Sequence, residues 1–457
     1  MLEPIRTVVA VDFAGGRARD GPLTHGQRNT LAWVADETDP FSAVLHWRFA
    51  LPTGATLADI SAALAVLLAR HEALRTCYPA GAELQRIAGA GRLPIELVEL
   101  GSDSADDDRV FTDLVASMRA AGIDYTSGLP VRVAVALRAD RPVVAAAIYS
   151  HLAVDFASMA LIGKQFSELV ADPAARAVGE PGHQPLDQAE LEQSRHGQRQ
   201  AETALRYWEG QLRQGPQATL PLPRPAVSEP GHHAGLLFSP AAGAALAHLS
   251  ARTGAGRQSI LLAGLCALLA RRTGSSRCTF ATVSGNRFRL RLRDYVGTLA
   301  QDGLFALALD RPGFDDLARR ANRASLAANT NSVFDSTRLW PIIDQVGADR
   351  GTAFARDFTF NDVSAQFAAE PVDQPLVEPA DLPAMLAQST VQWLDSPPFP
   401  VLLMCNPIAL APALHLALTA DTTELDRAEV ETLLRGLDKL LVAGASGDVQ
   451  LDRLGEL

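Results

Sequence analysis

The chain has 457 residues, of which 47% are hydrophobic and 20% charged, so it has enough apolar content for two or three compact units and does not have the composition of a disordered chain. Its formal net charge of −11 disfavours nucleic acid as the main partner, because phosphate backbones attract basic surfaces. There is no run of about 18 apolar residues that would span a membrane, and the short apolar stretch Thr7–Val11 ends at Asp12, which disfavours a signal peptide.

The cysteines and histidines show no spacing typical of a metal site. His232 and His233 are adjacent in a proline-rich segment, which is poor geometry for binding one metal ion. The scattered cysteines are expected to be reduced thiols in a cytoplasmic protein. They are Cys77, Cys266, Cys278 and Cys405.

The first clear helix is predicted over Leu57–His71. Thr56 can cap it, Asp59 stands at the third position, and an apolar stripe at helical spacing follows. Runs of apolar and β-branched residues predict strands, and helices alternate with them, which indicates an α/β protein. The other predicted elements are the strands Ala43–Phe49, Val131–Leu137, Val143–Tyr149, Ala300–Leu309 and Leu414–Leu418 and an amphipathic C-terminal helix over Asp426–Val442.

A second leucine-rich helix, predicted over Ser259–Arg272, repeats the leucine spacing of the first. Two similar helices in the two halves are what a chain of two related lobes would show. A polar stretch at 172–200 contains several Pro and Gly residues and separates the two halves. We therefore predict an N-terminal lobe over 1–178 and a C-terminal lobe over 179–457.

Between 287 and 293, arginines alternate with apolar residues. If this segment is extended, the period of two places all the guanidinium groups on one side. Two interpretations stay open: a solvated face, or a docking patch for an acidic partner or a phosphate-bearing ligand. The arginines are Arg287, Arg289, Arg291 and Arg293, alternating with Phe288, Leu290 and Leu292.

One strand-to-helix turn carries the clearest signal of chemistry. Val143–Tyr149 has the length of a strand, and apolar residues recur at helical spacing from Ala157 onward. His151 and Asp155 therefore lie in the turn, where catalytic side chains are commonly displayed. An imidazole with a pKa near 6.5 is suited to accept a proton from a nucleophile, although the pattern alone also fits a structural histidine.

The segment Ser150–Phe156 resembles the His-His-x-x-x-Asp-Gly motif of nonribosomal peptide synthetase condensation domains. Further segments resemble other motifs of this family, in the family's order, and Arg70–Thr76 is nearly identical to the second motif. These segments are Leu23–Arg28, Arg70–Thr76, Arg206–Trp208 with Leu212, Ser284–Arg287, Val296–Thr298 and Phe358–Asn361, spread over about residues 22 to 440.

The resemblance implies two chloramphenicol-acetyltransferase-like lobes that form a V-shaped pseudodimer with an interlobe tunnel and a crossover segment near 284–303. It implies an acyltransferase that joins a carrier-protein-bound acyl or aminoacyl thioester to an amine or hydroxyl acceptor. No bound cofactor is expected, because the phosphopantetheine arm of an acyl or peptidyl carrier protein brings the substrate.

The resemblance also implies roles for particular residues. His151 corresponds to the catalytic histidine, and Asp155 to an aspartate that pairs with the arginine of the second motif, here Arg75. Such a pair would make Asp155 a support of the loop rather than a proton carrier. The resemblance further suggests tunnel or crossover positions at Asn286, Arg287, Gly297, Thr298 and Asn361.

Two residues depart from the motif. Ser150 replaces the first histidine, and Phe156 replaces the glycine, where a phenyl ring would narrow the channel or alter the turn. We expect catalysis to be retained, because His151 and Asp155 are present. Two alternatives stay open: a non-catalytic condensation-like module that recruits a tailoring enzyme to a carrier-bound peptide, and a coenzyme A-dependent acyltransferase of the same superfamily. Met1 and the single-unit length favour a free-standing protein. The sequence does not specify the donor or the acceptor.

Overall fold

The protein is described here by a computed structural model, in which the chain divides into two compact units. The first unit holds the described residues up to Arg199 together with Gly285–Ala300 and Asp335–Thr337, and the second holds the remainder. The predicted boundary between 178 and 179 lies outside the described residues. These are 6–14, 16–36, 43–101, 106–177, 182–220, 231–310, 313–367, 377–396 and 401–456.

The first unit is an α/β unit, as the sequence predicts. Its strands are β1 (Arg6–Phe13), β2 (Arg19–Pro22), β3 (Val44–Phe49), β4 (Thr76–Cys77), β5 (Leu84–Ile87), β6 (Gly91–Glu99), β7 (Val131–Arg138) and β8 (Arg141–Ser150). Its helices are α1 (His25–Asp36), α2 (Leu57–Arg70), α3 (Asp107–Ala121), α4 (Phe156–Ala171) and α5 (Pro185–Gln193).

A five-stranded sheet in the order β1-β6-β7-β8-β3 forms the centre of this unit. Strands β6 and β7 are parallel, and the other neighbours are antiparallel. Val133 and Val135 on β7 join the apolar cluster of α2 and α4, whereas Ala134 and Ala136 join the cluster of α3. Helices therefore cover both faces of the sheet, which explains why β7 and β8 are continuously apolar.

The second unit is built around a seven-stranded sheet. Its helices are α6 (Arg195–Gln214), α7 (Pro240–Thr253), α8 (Arg257–Thr273), α9 (Phe314–Thr330), α10 (Ser336–Arg350), α11 (Leu382–Met385) and α12 (Arg427–Ser446). The first residues of α6 and α10 are assigned to the first unit. Its strands are β9 (His232–Ser239), β10 (Arg277–Ser284), β11 (Gln301–Ala308), β12 (Phe358–Phe360), β13 (Thr390–Ser396), β14 (Leu403–Ala409) and β15 (Leu414–Asp421).

This sheet has the order β11-β10-β12-β14-β15-β9-β13, with β12 parallel to both of its neighbours. Its main core includes fully buried residues of α7, α8, α9 and α12. In the part of the chain that the structure describes, no single helix has the length and hydropathy of a membrane span, although the sharply bent pair α7 and α8 reaches both together. All four cysteines are unpaired thiols, and three of them are buried.

The predicted helices and strands are confirmed to within a few residues. The capping box at Thr56 and Asp59 is present, because Asp59 N donates to Thr56 Oγ1 at 3.2 Å and Thr56 N donates to Asp59 Oδ2 at 3.2 Å. Asp426 caps α12 in the same way. These elements are predictable because caps and apolar periodicity act within a few positions.

The segment 287–293 differs from the extended conformation on which the sequence argument depends. Leu290–Leu292 forms a 3₁₀ turn, with Leu292 N donating to the Arg289 carbonyl at 2.9 Å. Leu292 is buried while Leu290 is 81% exposed, so the period of two does not hold. A continuous strand with one arginine face is therefore the wrong description of these residues.

Candidate active site

The turn between β8 and α4 displays His151, as the sequence predicts. Ser150 N donates to the Pro130 carbonyl at 2.9 Å, and His151 N donates to the Ala43 carbonyl at 2.8 Å. The Ser150 carbonyl in turn accepts from Ala153 N at 3.0 Å. Hydrogen bonds at both sides of the histidine therefore fix the backbone of the turn.

The His151 side chain is only partly exposed. Its Nδ1 atom is buried and makes no hydrogen bond within the described residues, which leaves Nε2 as the ring nitrogen that a reactant can approach. The ring meets Trp33 of α1 edge to face, with centroids 5.9 Å apart. Burial lowers the pKa of His151, against the opposing effects of its own carbonyl, the Asp155 charge and the Val154 carbonyl. The imidazole is therefore neutral at pH 7.

Asp155 is paired with Arg287. Arg287 Nη1 donates to Asp155 Oδ2 and Nη2 to Oδ1, both at 2.7 Å, which is the bidentate geometry of a strong carboxylate–guanidinium pair. Leu299 N and Ala300 N also donate to Oδ2, at 3.0 and 3.2 Å. Asp155 caps α4 as well, because Ser158 N donates to Oδ1 at 3.0 Å.

Five hydrogen bonds to one buried carboxylate keep it ionised. Burial by itself raises the pKa of Asp155, but the Arg287 guanidinium and the backbone donors outweigh burial and hold that pKa below its usual range. An ionised carboxylate with every oxygen engaged has no proton to donate. Asp155 therefore supports the turn and does not transfer a proton.

The predicted pair of Asp155 with Arg75 is wrong. Arg75 is buried, and its guanidinium donates to three backbone carbonyl oxygens: to Leu68 at 3.0 Å, to Arg17 at 2.8 Å and to Ala88 at 2.5 Å. Its Nε and Nη1 atoms are engaged there, whereas Arg287 of the segment Gly285–Ala300 pairs with Asp155. Arg75 supports the loops around β5 instead of the histidine turn.

Ser158 extends the support of the histidine turn. Its Oγ donates to the Gly297 carbonyl at 2.8 Å and accepts from Gly297 N at 3.0 Å and Arg287 Nη2 at 2.8 Å. A Cβ on Gly297 would lie 2.5 Å from the Tyr295 hydroxyl oxygen, so any larger residue would force the Tyr295 side chain to move. Ser158 is not among the residues predicted from the sequence, although its position three residues after the cap was a usable signal.

Four of the five predicted tunnel or crossover residues lie in the first unit. Asn286 adopts a left-handed φ of 53°, which asparagine tolerates, and its Nδ2 donates to the Leu299 carbonyl at 2.9 Å. Thr298 is buried, and its carbonyl oxygen lies against Gly26 at the start of α1. Asn361 belongs to the second unit, where its backbone N donates to the Cys405 carbonyl at 2.9 Å. The tunnel itself stays a prediction.

The two departures from the motif fit their positions. Ser150 is buried, and its Oγ accepts from Leu152 N at 3.4 Å. Phe156 is the first residue of α4 and has no left-handed φ, so no glycine is needed there. Its ring packs edge to face on Trp47 of β3, with centroids 5.8 Å apart. The turn is therefore not distorted by the phenyl ring.

Within the described residues, no group of three or more His, Cys, Asp and Glu side chains is arranged to hold a metal ion. In the part of the chain that the structure describes, the His151 ring forms no ion pair, and the Asp155 carboxylate is taken by Arg287. The arrangement thus offers a neutral imidazole on a rigid turn. Its chemistry is that of a general base or of a group that orients an acceptor.

Two α/β units and a braced histidine turn define the class of protein. A family profile described as "Condensation domain" matches residues 18–374, and the chain therefore belongs to the condensation-domain family. The family indicated by the motifs is confirmed. Its members are typically acyltransferases that act on carrier-bound thioesters in nonribosomal peptide and polyketide biosynthesis.

The relatives found by sequence are synthetases, and this chain matches only a part of each. Phosphinothricin tripeptide synthetase PhsC from Streptomyces viridochromogenes is 27% identical over 348 residues, which are 72% of this chain and 31% of that protein. Nonribosomal peptide synthetase kk1B from Curvularia clavata is 24% identical over 330 residues, 68% of this chain and 2% of that protein. This chain spans less than a third of the length of either relative.

Solved structures match nearly the whole chain. The condensation domain of the Monacolin K polyketide synthase MokA superposes with a TM-score of 0.72 at 15% identity, covering 95% of this chain and 99% of that one. The X-domain in complex with OxyB from teicoplanin biosynthesis gives 0.69 at 19% identity, covering 97% and 98%. These likenesses confirm the two-lobed α/β fold, whereas the predicted V shape stays a prediction.

Proposed function

We propose that this protein is a condensation-type acyltransferase that joins a carrier-bound acyl or aminoacyl thioester to an amine or hydroxyl acceptor. The observation that carries the proposal is the neutral His151 imidazole, held on a turn that the Asp155–Arg287 pair fixes. The acyl donor would arrive on the phosphopantetheine arm of a carrier protein. No bound cofactor is needed for this reaction.

In the proposed reaction, the acceptor nitrogen or oxygen attacks the thioester carbonyl carbon. His151 Nε2 accepts the acceptor's proton as the new C–N or C–O bond forms, and the proton passes to the departing pantetheine sulfur as the C–S bond breaks. A neutral imidazole at pH 7 is suited to both transfers. Fixing the two reactants beside it supplies a large part of the acceleration.

A second candidate function is a non-catalytic module that recruits a tailoring enzyme to a carrier-bound peptide. The replacement of the first motif histidine by Ser150 favours it, and one structural relative is an X-domain bound to OxyB. Against it, His151 and the complete support of its turn are retained. A coenzyme A-dependent acyltransferase is a third candidate, without a specific observation in its favour.

The test incubates the full chain with one carrier protein loaded with a donor thioester and a second loaded with an acceptor. Mass spectrometry follows the product. His151→Ala is expected to lower product formation by about 100-fold or more, since general-base catalysis contributes about 10²–10⁴-fold. His196→Ala, at an exposed histidine of α6, serves as the matched control and keeps full activity.

Equal product from His151→Ala and the wild-type chain would overturn the role of His151. No product with any pair of loaded carriers, together with firm binding of an oxygenase, would assign the protein to the recruitment class. Product from a free coenzyme A thioester alone would favour the third candidate.

A further inference from the structure

The residues 288–293 form a surface turn that we name the arginine turn. Phe288 is 66% exposed and Leu290 is 81% exposed, although both are large apolar side chains. The three arginines of the turn are exposed as well, and only Leu292 is buried. Apolar and cationic side chains thus share one exposed surface. The arginines are Arg289, Arg291 and Arg293.

The base of the arginine turn is rigid. Leu292 packs in a buried cluster with Tyr295 and Leu299. On the other side, Asn286 donates to the Leu299 carbonyl, and Arg287 is held by the Asp155 carboxylate. The exposed side chains therefore project from a preorganised support, which lowers the entropic cost of binding.

The charges on the arginine turn differ from those of the paired arginines of this chain. Several arginines elsewhere pair with carboxylates, as Arg252 does with Asp315 and Arg320 with Asp316. Among the described residues, none of the three exposed arginines of the turn forms an ion pair. Asp294 is the one acidic residue in the stretch 285–300, so this stretch is positively charged on a chain with a net charge of −11.

Exposed aromatic and aliphatic side chains among arginines are typical of protein interfaces. Interface cores are enriched in aromatic residues and arginine, and complementary charge accelerates the encounter of two proteins. A free phosphate would use the arginines but would leave Phe288 and Leu290 in water. The combination favours a protein surface with carboxylates around an apolar centre.

We infer that the arginine turn is the docking surface for the acidic face of the carrier protein that delivers a thioester to this chain. The inference rests on the proposed acyltransferase function, which requires such a carrier. Arg287 directly precedes the arginine turn and holds Asp155, four positions from His151, so the Asp155–Arg287 pair connects the docking surface to the histidine turn.

The experiment compares two matched charge reversals in the full chain. Arg289→Glu/Arg291→Glu changes the arginine turn, and Arg319→Glu/Arg323→Glu makes the same charge change on exposed positions of α9. A second pair, Leu290→Ala and Leu326→Ala, tests the apolar contribution, since Leu326 is likewise an exposed leucine, at 66% against 81% for Leu290. The probe is a peptidyl carrier protein of net negative charge that carries the phosphopantetheine arm.

Binding is measured by fluorescence anisotropy at low and high salt. Reversal in the arginine turn is expected to weaken binding about tenfold or more and to remove most of its salt dependence, whereas the α9 reversal changes binding less than about twofold. Product formation from an N-acetylcysteamine thioester, which needs no docking, is expected to stay at the wild-type rate in both reversals.

Equal binding by both reversals would overturn the inference, as would undetectable binding of the acidic carrier by the wild-type chain. Loss of binding in inorganic phosphate at constant ionic strength would assign the arginines to a phosphate ligand instead. Carrier binding that depends on the turn, without product from either donor, would overturn the proposed reaction and leave the docking surface in place.

Discussion

Arg287 and Arg75 are two arginines of the first unit that stabilise it in different ways. Arg287 meets a buried carboxylate with both terminal nitrogens, so each charge compensates the other. Arg75 donates to three backbone carbonyl oxygens, and its closest carboxylate contact is with Glu72 at 3.9 Å. Burial lowers the pKa of Arg75, against the effect of Glu72.

The comparison separates two ways of holding a loop. Arg287 fixes the turn that carries His151 through a charge, and that pair is strong because it lies in a site of low dielectric. Arg75 closes the loops around β5 through neutral acceptors. A change at either position is expected to lower stability, but only a change at Arg287 acts on the active-site turn.

The largest effect is expected for Arg287→Ala. Removing one partner of a buried pair leaves an uncompensated charge, which costs about 3 to 5 kcal/mol. Denaturant unfolding measures this loss, and a double-mutant cycle with Asp155→Asn measures the coupling, which should exceed about 1 kcal/mol. An equal coupling energy between Asp155→Asn and Arg75→Ala would contradict the assigned difference between the two arginines.

A smaller loss is expected for Arg75→Ala. Three carbonyl oxygens lose a donor, and an unsatisfied buried acceptor costs about 1 to 3 kcal/mol, which backbone relaxation and water partly offset. We expect a total of about 2 to 3 kcal/mol in the free energy of unfolding, with normal product formation per folded molecule. A variant that folds well but has lost activity would show that Arg75 acts on the histidine turn after all.

The pH dependence of the free energy of unfolding is a further test of the Asp155–Arg287 pair. Because the folded-state pKa of Asp155 lies below its unfolded value, the pair stabilises the protein fully above about pH 4 and loses this effect as the pH falls through the folded pKa. In Arg287→Ala, burial without the countercharge raises that pKa, so protonation relieves the unpaired charge. The stability gap between wild type and Arg287→Ala should therefore narrow as the pH falls from 7 to 3, by about 1.4 kcal/mol for each pH unit below the raised pKa of the variant. A gap that stays constant with pH would contradict the assigned pair.

The smallest effect is expected for Phe156→Gly. The ring packs on Trp47, so its loss should cost about 1 kcal/mol of stability while leaving the rate of product formation per folded molecule unchanged. Steady-state rates with small and bulky donors provide the measurement. Faster reaction of bulky donors in the variant would mean that the ring narrows the substrate channel.

Much of the local structure was accessible from the sequence. The capping box at Thr56 and the strand-to-helix turn at His151 depend on residues within a few positions of each other, so periodicity and capping preferences are enough to find them. The alternation of arginines and apolar residues at 287–293 suggested an extended segment with one arginine face. The segment instead forms a 3₁₀ turn and buries Leu292, so the period of two is lost. Trp33 gave no local signal for its contact with the His151 ring.

The sequence by itself determined the α/β class, the family and the position of His151 between a strand and a helix. Only the tertiary structure decided which arginine holds Asp155, since Arg287 lies 132 positions along the chain. It also decided that Phe156 turns towards Trp47. Local preferences extend over a few residues, whereas these contacts depend on how distant segments pack together, and packing is settled by the fold as a whole.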